Sequence, residues 1–497
     1  MSGEEQVQHA DGRVELGAGV TLGDARLFNE DLAPTKLAKR TWNTYAFAAL
    51  WISMAHCIPT YILASGLIKM GMSWGQALTT ILLGNSIVLA PILLNSHPGT
   101  KYGIPFPVFA RAAYGVFGAN VPAIMRAIVA CGWFGIQCWI GGHALQRFLE
   151  SLWGGWPGML GDGKVGGYLA TEWLCYALFW SLNILIVYRG MDLLRRVENW
   201  AAPYVLVMTT LLLVWILRRA GQTGSGIGGI LSQPSKFQSM GEFLPVFVPS
   251  VTAMVGFWAT LSLNMPDFTR YGRSQREQTV GQVVALPTTM TVFAAMGIFI
   301  TSASAQVFGE AIWDPIDLGA RLGSRPLVAL AEMTAVIATL AMNIAANVVS
   351  PANDFSNLAP RRISFRTGGL MTGILATFMM PWKLLENSDR YINGWLLGYS
   401  GGLGSIAGVL ICDYWIIRRT RLQLADLYRS KGSYDYGGKG FNTAAIVATL
   451  VGCFVAWIGI WVQPLHWLYD AAWFTGTLSS AAVYGMCMWK ARAPAHA

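Results

Sequence analysis

Apolar residues in this chain do not alternate with polar ones; they run in blocks. Blocks of roughly 18–25 residues, the length a helix needs to cross a bilayer, recur from residue 44 onward. They predict helices at 44–68, 75–96, 118–146, 166–187, 199–217, 244–264, 283–307, 327–349, 368–385, 392–414, 441–462 and 467–489. This is the pattern of an all-α polytopic membrane protein with 12 transmembrane helices. Residues 1–43 read as a polar N-terminal tail, 44–490 as one membrane domain and 491–497 as a short C-terminal tail. The polar start lacks the apolar core and cleavage site of a secretory signal.

Two predicted helices are interrupted. The first, FAALWISMAHCIPTYILASGL, has Pro59 near its centre, just after the polar His56. The sixth, FVPSVTAMVGFWATLSLNMPDF, carries Pro249, Gly256 and Pro266. Proline removes a backbone hydrogen bond, and lipid tolerates the freed carbonyl only inside protein or beside a water-filled cavity. Either proline alone could simply kink a packed helix. As a pair at positions one and six they fit an inverted repeat of five plus five helices, with two helices added at the C-terminus. In transporters of that design the broken helices meet near the midplane, and their free backbone groups bind substrate and coupling ion.

Composition agrees: 54% of residues are hydrophobic and 12% charged, against about 25% charged in soluble proteins. The net charge of +9 could suggest a nucleic-acid partner, but its placement argues against one. The basic clusters Arg195–Arg196, Arg270–Arg273–Arg276, Arg361–Arg362–Arg366 and Arg418–Arg419–Arg421 fall on loops of one side. That bias puts both termini in the cytoplasm of a cell (inner) membrane protein, with lipid rather than nucleic acid as its surroundings. All seven cysteines fall in apolar segments without metal-ligand spacing, so they read as buried thiols. Nearly all carboxylates lie in loops and the six histidines form no ligand set, which argues against a membrane-embedded enzyme, a metal site or an organic cofactor.

Candidate chemistry sits in the middle of the helices. In GWFGIQCWIGG (132–142), Trp133 and Gln137 are four apart and share a helical face. Trp258 lies at the proposed break of helix six, and Asn343 and Asn347 are four apart on helix eight. Each has an ordinary explanation, packing for the indoles and interhelical hydrogen bonds for the amides. Together they can cover a flat ring with indole faces while amides read its alternating C=O and N–H edge. A five-membered ureide, a pyrimidine and a purine all meet that description. Glycines 132, 135, 141 and 142 read as points of close helix contact.

In its longer motifs the chain resembles the nucleobase:cation symporter-1 family. These are ALWISMAHCIPTYILASG, NSHPGTKYGIPFPVFARAAYG, GWFGIQCWIGG, GFWATLSLNMPDFTRYGR, NIAANVVSPANDFSNLAPRRISFRTGG and LICDYWIIRRTRLQLADLY, and the resemblance covers roughly residues 34–490. It implies a LeuT-like fold and a monomeric symporter that imports hydantoin, allantoin, uracil or a related base by alternating access. It also implies that Trp133 and Gln137 hold the substrate, Trp258 covers its other face and Asn347 bonds the ring.

The ion site departs from the family's sodium-coupled pattern. The resemblance implies carbonyl donors at Ser53 and His56 on helix one and two adjacent hydroxyls on helix eight, whose matching positions here are Ala341 and Met342, without a side-chain oxygen. Cys57 stands where a glutamine reaches the substrate, so contacts from helix one must differ. His56, beside the break, is either a proton carrier or a neutral ring bonded to freed backbone. The balance leans to proton over sodium coupling. Asp267 and Arg270, three apart after helix six, could form an inner gating pair or a structural anchor. GTKYGIPFPVFAR is expected to form a rigid loop beneath the moving helices.

Overall fold

The computed structural model describes residues 5–491 except 23, 190, 224, 313 and 386–389. The predicted C-terminal tail beyond 491 and the side chains of Arg195 and Arg196 lie outside the described residues.

The first span is two helices, α1 (Thr44–Ala55) and α2 (Ile58–Lys69), bent by 59° at His56–Cys57. Asn43 caps α1 by accepting from the Ala46 N–H, and Pro59 sits in the first turn of α2, where its missing N–H removes no helical bond. Then follow α3 (Trp74–Tyr102), α4 (Phe106–Tyr114), α5 (Asn120–Leu152), α6 (Ala170–Arg189), α7 (Met191–Gln222) and the short α8 (Gly226–Leu231). The sixth span breaks at Trp258 into α9 (Met240–Phe257) and α10 (Ala259–Asn264), followed by α11 (Pro266–Thr269). Next come α12 (Gln275–Phe308), the short α13 (Pro315–Gly319), α14 (Arg325–Asn347) and α15 (Val349–Leu358). The last elements are α16 (Phe365–Phe378), α17 (Pro381–Leu384), α18 (Leu397–Ile411), α19 (Thr443–Trp457), α20 (His466–Asp470) and α21 (Ala472–Met488).

Among the described residues, nine helices are long and apolar enough to span a membrane, and ten if α1 and α2 count as one. The ninth and twelfth predicted spans are shorter than expected, 14 residues in α16 and 17 in α21. Outward-facing Leu206, Val207, Leu211 and Val214 on α7 give that helix an apolar surface suited to lipid.

Two packed groups position the site. The interrupted helices belong to one, with α12 against α1 and α3, and α3 against α9, α10 and α11. The other is built on α5, buried along most of its length and packed on α14, α15, α6 and α16. Close approach explains two of its glycines: a Cβ at Gly135 would lie 2.8 Å from the Ala376 carbonyl oxygen, and one at Gly142 2.7 Å from Cα of Tyr176.

One expectation needs correction. The segment after α3 is not a loop, because Phe106–Tyr114 folds as a helix whose fully buried Arg111 donates to the Leu427 carbonyl (2.8 Å) and Asn357 Oδ1 (2.6 Å). The N-terminal region packs onto the membrane domain. It forms an antiparallel pair, β1 (Gln6–Gln8) on β2 (Val14–Leu16), and buried Arg40 donates to the carbonyls of Val14, Thr35 and Thr100. A polar stretch can pack this way when one guanidinium satisfies several buried carbonyls at once.

Candidate substrate site

The break in helix one frees chosen carbonyls. Cys57 N–H turns to the Ala55 carbonyl (3.0 Å) and Thr60 N–H to that of Cys57 (3.1 Å), so the carbonyls of Ser53 and His56 lose their usual partners four residues on. These are the two helix-one carbonyls expected at the ion site. Helix eight behaves differently. Ala341 and Met342 stay within the regular helix α14, and Met342 directs its sulfur at Gln137 on α5. Of the expected ion-site groups, helix one thus supplies its free carbonyls, while Ala341 and Met342 supply no side-chain oxygen.

His56 is buried, its Nε2 has no partner, and its ring lies 4.0 Å centroid to centroid from Phe293 on α12. The ring does not bond the backbone freed by Pro59. Cys57 shares a hydrogen bond of 3.1 Å with Thr60.

The amides meet where α5 packs on α14. Gln137 is fully buried; its Nε2 donates 2.9 Å to the Met342 sulfur, a weak acceptor, and its Oε1 has no partner. Asn347 donates 3.0 Å to Asn343 Oδ1, and Asn343 donates 3.1 Å to Asn183 on α6, which donates 2.8 Å to the Phe179 carbonyl. Asn343 is therefore committed to tying α5, α6 and α14 together, whereas Gln137 keeps a free carbonyl oxygen.

The indoles do not face each other across an open slot. Trp133 packs edge-on against Phe257 at 5.2 Å, and Trp258 against Phe257 at 4.9 Å and Trp51 at 5.1 Å. Edge-to-face contact is a favoured arrangement of aromatic rings, and Phe257 supplies it to both indoles. Trp133 Nε1 donates 3.1 Å to the Tyr399 hydroxyl, which donates 2.7 Å to the Gly256 carbonyl in the last turn of α9. Gly256 is needed there because a Cβ would lie 2.9 Å from the Leu396 carbonyl oxygen. Tyr399, Phe257 and Trp51 escape sequence reasoning: nothing in their spacing separates them from other aromatics of apolar helices.

Asp267 and Arg270 form no ion pair. Asp267 accepts from the Phe106 N–H (3.0 Å), holding the start of α4, while Arg270 donates to the Asp31 carbonyl (2.9 Å) and the Tyr271 hydroxyl (2.9 Å). Each anchors a different segment, because backbone partners lie closer to each than the other side chain does.

Residues 34–476 match a family described as permeases for cytosine/purines, uracil, thiamine and allantoin. The chain belongs to this family. Within the nucleobase:cation symporter-1 permeases it is 42% identical over 464 residues to the allantoin permease of Bacillus subtilis (strain 168), covering 93% of each chain. It is 41% identical over 436 residues to the purine-uracil permease NCS1 of Arabidopsis thaliana, covering 86% of this chain and 71% of that one. A solved structure of the family transporter Mhp1, closed with bromovinylhydantoin bound, matches its fold with a TM-score of 0.76 at 24% identity, over 93% of this chain and 96% of that one. The permease is a multi-pass membrane transporter with a LeuT-like fold, not an enzyme.

Proposed function

We propose that this permease imports a planar cyclic ureide, allantoin first among the candidates, by proton symport with alternating access. The observation that carries the reading is Gln137. It is an amide at the centre of a buried helix pair, beside Trp133, with a free oxygen and only a thioether for its N–H. A ring edge presenting N–H and C=O would satisfy both ends and replace a poor partner with a good one. Trp133 and Trp258 cover the ring once Phe257 yields its edge contacts, and Asn347 bonds it from α14. The 42% identity to an allantoin permease supports a ureide among the candidates, and the 41% identity to a purine-uracil permease keeps uracil and purines in the same panel.

Twelve helices, the first ten as two inverted repeats, cross a cell membrane with both termini in the cytoplasm. The group containing α1, α3, α9 and α12 rocks against α5 and α14, and the protein works as a monomer. Proton coupling is supported by Ala341 and Met342, which give helix eight no side-chain oxygen for sodium, a hard cation that seeks several.

A thermal-shift screen of the purified protein against hydantoins, allantoin, uracil, cytosine and purines, with and without sodium, tests this reading. Stabilisation by allantoin that is indifferent to sodium is expected. A shift that requires sodium overturns proton coupling, and no response to any ring overturns the site.

A further inference from the structure

Helix α14 carries a second polar feature that ring binding does not use. Glu332, two turns in from Arg325, is 1% exposed, and neither carboxyl oxygen has a hydrogen-bond partner. It lies beneath α13, where any side chain at Gly319 would collide with its Oε1. The charged groups around it offer no counter-ion. Asp314 and Asp317 approach from the α13 segment, and the nearest cation, Arg147 on α5, is 3.3 Å from Glu150 and 3.8 Å from Asp317. Farther out stand His143 on α5, Glu172 on α6, Tyr61 on α2 and Tyr204 on α7, whose hydroxyl bonds Thr334. None of these forms an ion pair with Glu332 among the described residues.

Contrast Asp354 on α15, also buried, which has Arg126 at 3.7 Å. A charge without a partner at membrane depth costs several kcal/mol, and such residues in transporters mark ion or proton pathways. A proton removes the charge at Glu332. The helix turns beside it face the broken helix: Ala331, Ala335 and Ala338 line a cavity of about 300 Å³ that Pro315, His56 and Cys57 line as well.

We propose that Glu332 is the proton-binding site of the transport cycle. It takes a proton from outside water, is the neutral acid in the state described here, and releases the proton inward with the substrate. The assignment rests on the proton-symport reading above. Outside the spans, burial pushes the Asp314 carboxyl up to about 7, with Asp317 adding to the rise, so it exchanges protons near neutral pH beside Glu332.

The test uses full-length protein in liposomes and radiolabelled allantoin, comparing accumulation driven by an inward proton gradient with counterflow at equal pH. Glu332→Gln should keep counterflow within about twofold of wild type and lose gradient-driven accumulation by at least about tenfold. Gradient-driven accumulation equal to wild type overturns the role of Glu332 while leaving proton symport standing. A wild type that ignores the gradient overturns both. If Glu332→Gln also loses counterflow, Glu332→Asp decides: gradient-driven accumulation by this carboxyl-retaining variant supports the proposal, and its loss overturns it.

Discussion

Helix α14 presents two polar regions eleven residues apart, about 16 Å along its axis, and the chain treats them differently. At Asn343 and Asn347 each amide finds another, from Asn347 through Asn343 and Asn183 to a backbone carbonyl. At Glu332 neither oxygen finds anything. An amide is neutral and can be satisfied by neighbours of its own kind, so Asn343 works as glue between helices. A carboxylate beside further carboxylates cannot, and only a proton or a cation can settle it. Burial alone therefore does not separate the two regions; the hydrogen-bond partners each finds do. Gln137 falls between the two, with one weak bond and one free oxygen.

The sharpest test sets Gln137 against Glu332. Gln137→Ala or Trp133→Ala should reduce specific uptake of allantoin to background, through a loss of binding of about tenfold to a hundredfold, in protein that still melts cooperatively. Glu332→Gln should bind allantoin normally in the same melting assay. Normal uptake by both site variants would remove the amide and the indole from the binding site.

A second pair separates the proton candidates. Glu332→Gln should abolish the response of accumulation to a pH gradient, whereas His56→Gln, with its ring only packed at a tilt against Phe293, should keep most of it. The reverse result in the liposome assay would move the proton from α14 to the break in helix one.

Stability should divide the two regions in opposite directions. Asn343→Ala breaks the amide chain and should destabilise by about 1 kcal/mol, read as a lower melting temperature in detergent. Glu332→Leu removes an unpartnered carboxyl and should leave the melting temperature unchanged or raise it. Tyr399→Phe, which removes the bridge from Trp133 to the Gly256 carbonyl, should cost about 1 kcal/mol and weaken allantoin binding by severalfold.

The smallest effect concerns Asp314. Its carboxyl is held at about 7 in the folded protein against 3.8 ordinarily, so folding favours the protonated form. Stability from this group is fully present below about pH 4 and is lost as pH rises toward 7. The melting temperature of Asp314→Asn should therefore gain on wild type as pH rises from 4 to 7, and no further above it. A difference that does not change with pH would show that Asp314 does not titrate there.

Much of the molecule was legible in its residues. Blocks of apolar residues mark the spans because lipid leaves backbone groups no partner outside a helix. Pro59 marks the break of the first span, whereas Pro249 lies inside α9 and the sixth span breaks at Trp258, beside Gly256; the pairs Trp133–Gln137 and Asn343–Asn347 mark polar faces by their spacing of four. The family followed from its motifs, and residues 34–476 match that family.

What spacing could not reveal is partnership. Asn343 and Gln137 look alike in the sequence, yet one is bonded into a chain of amides and the other faces a sulfur, because that depends on which residue of a helix 205 positions away comes to meet it. Asp267 and Arg270 are near neighbours in the chain but point to different backbones. Glu332 stands as one acid in ALAEMTAV, an exception to the rule that acids here lie in loops, and only its neighbours distinguish it. Helix formation is decided locally, by hydrogen bonds within a few residues. Whether a buried polar atom is satisfied is decided by the packing of distant helices, which only the tertiary structure supplies.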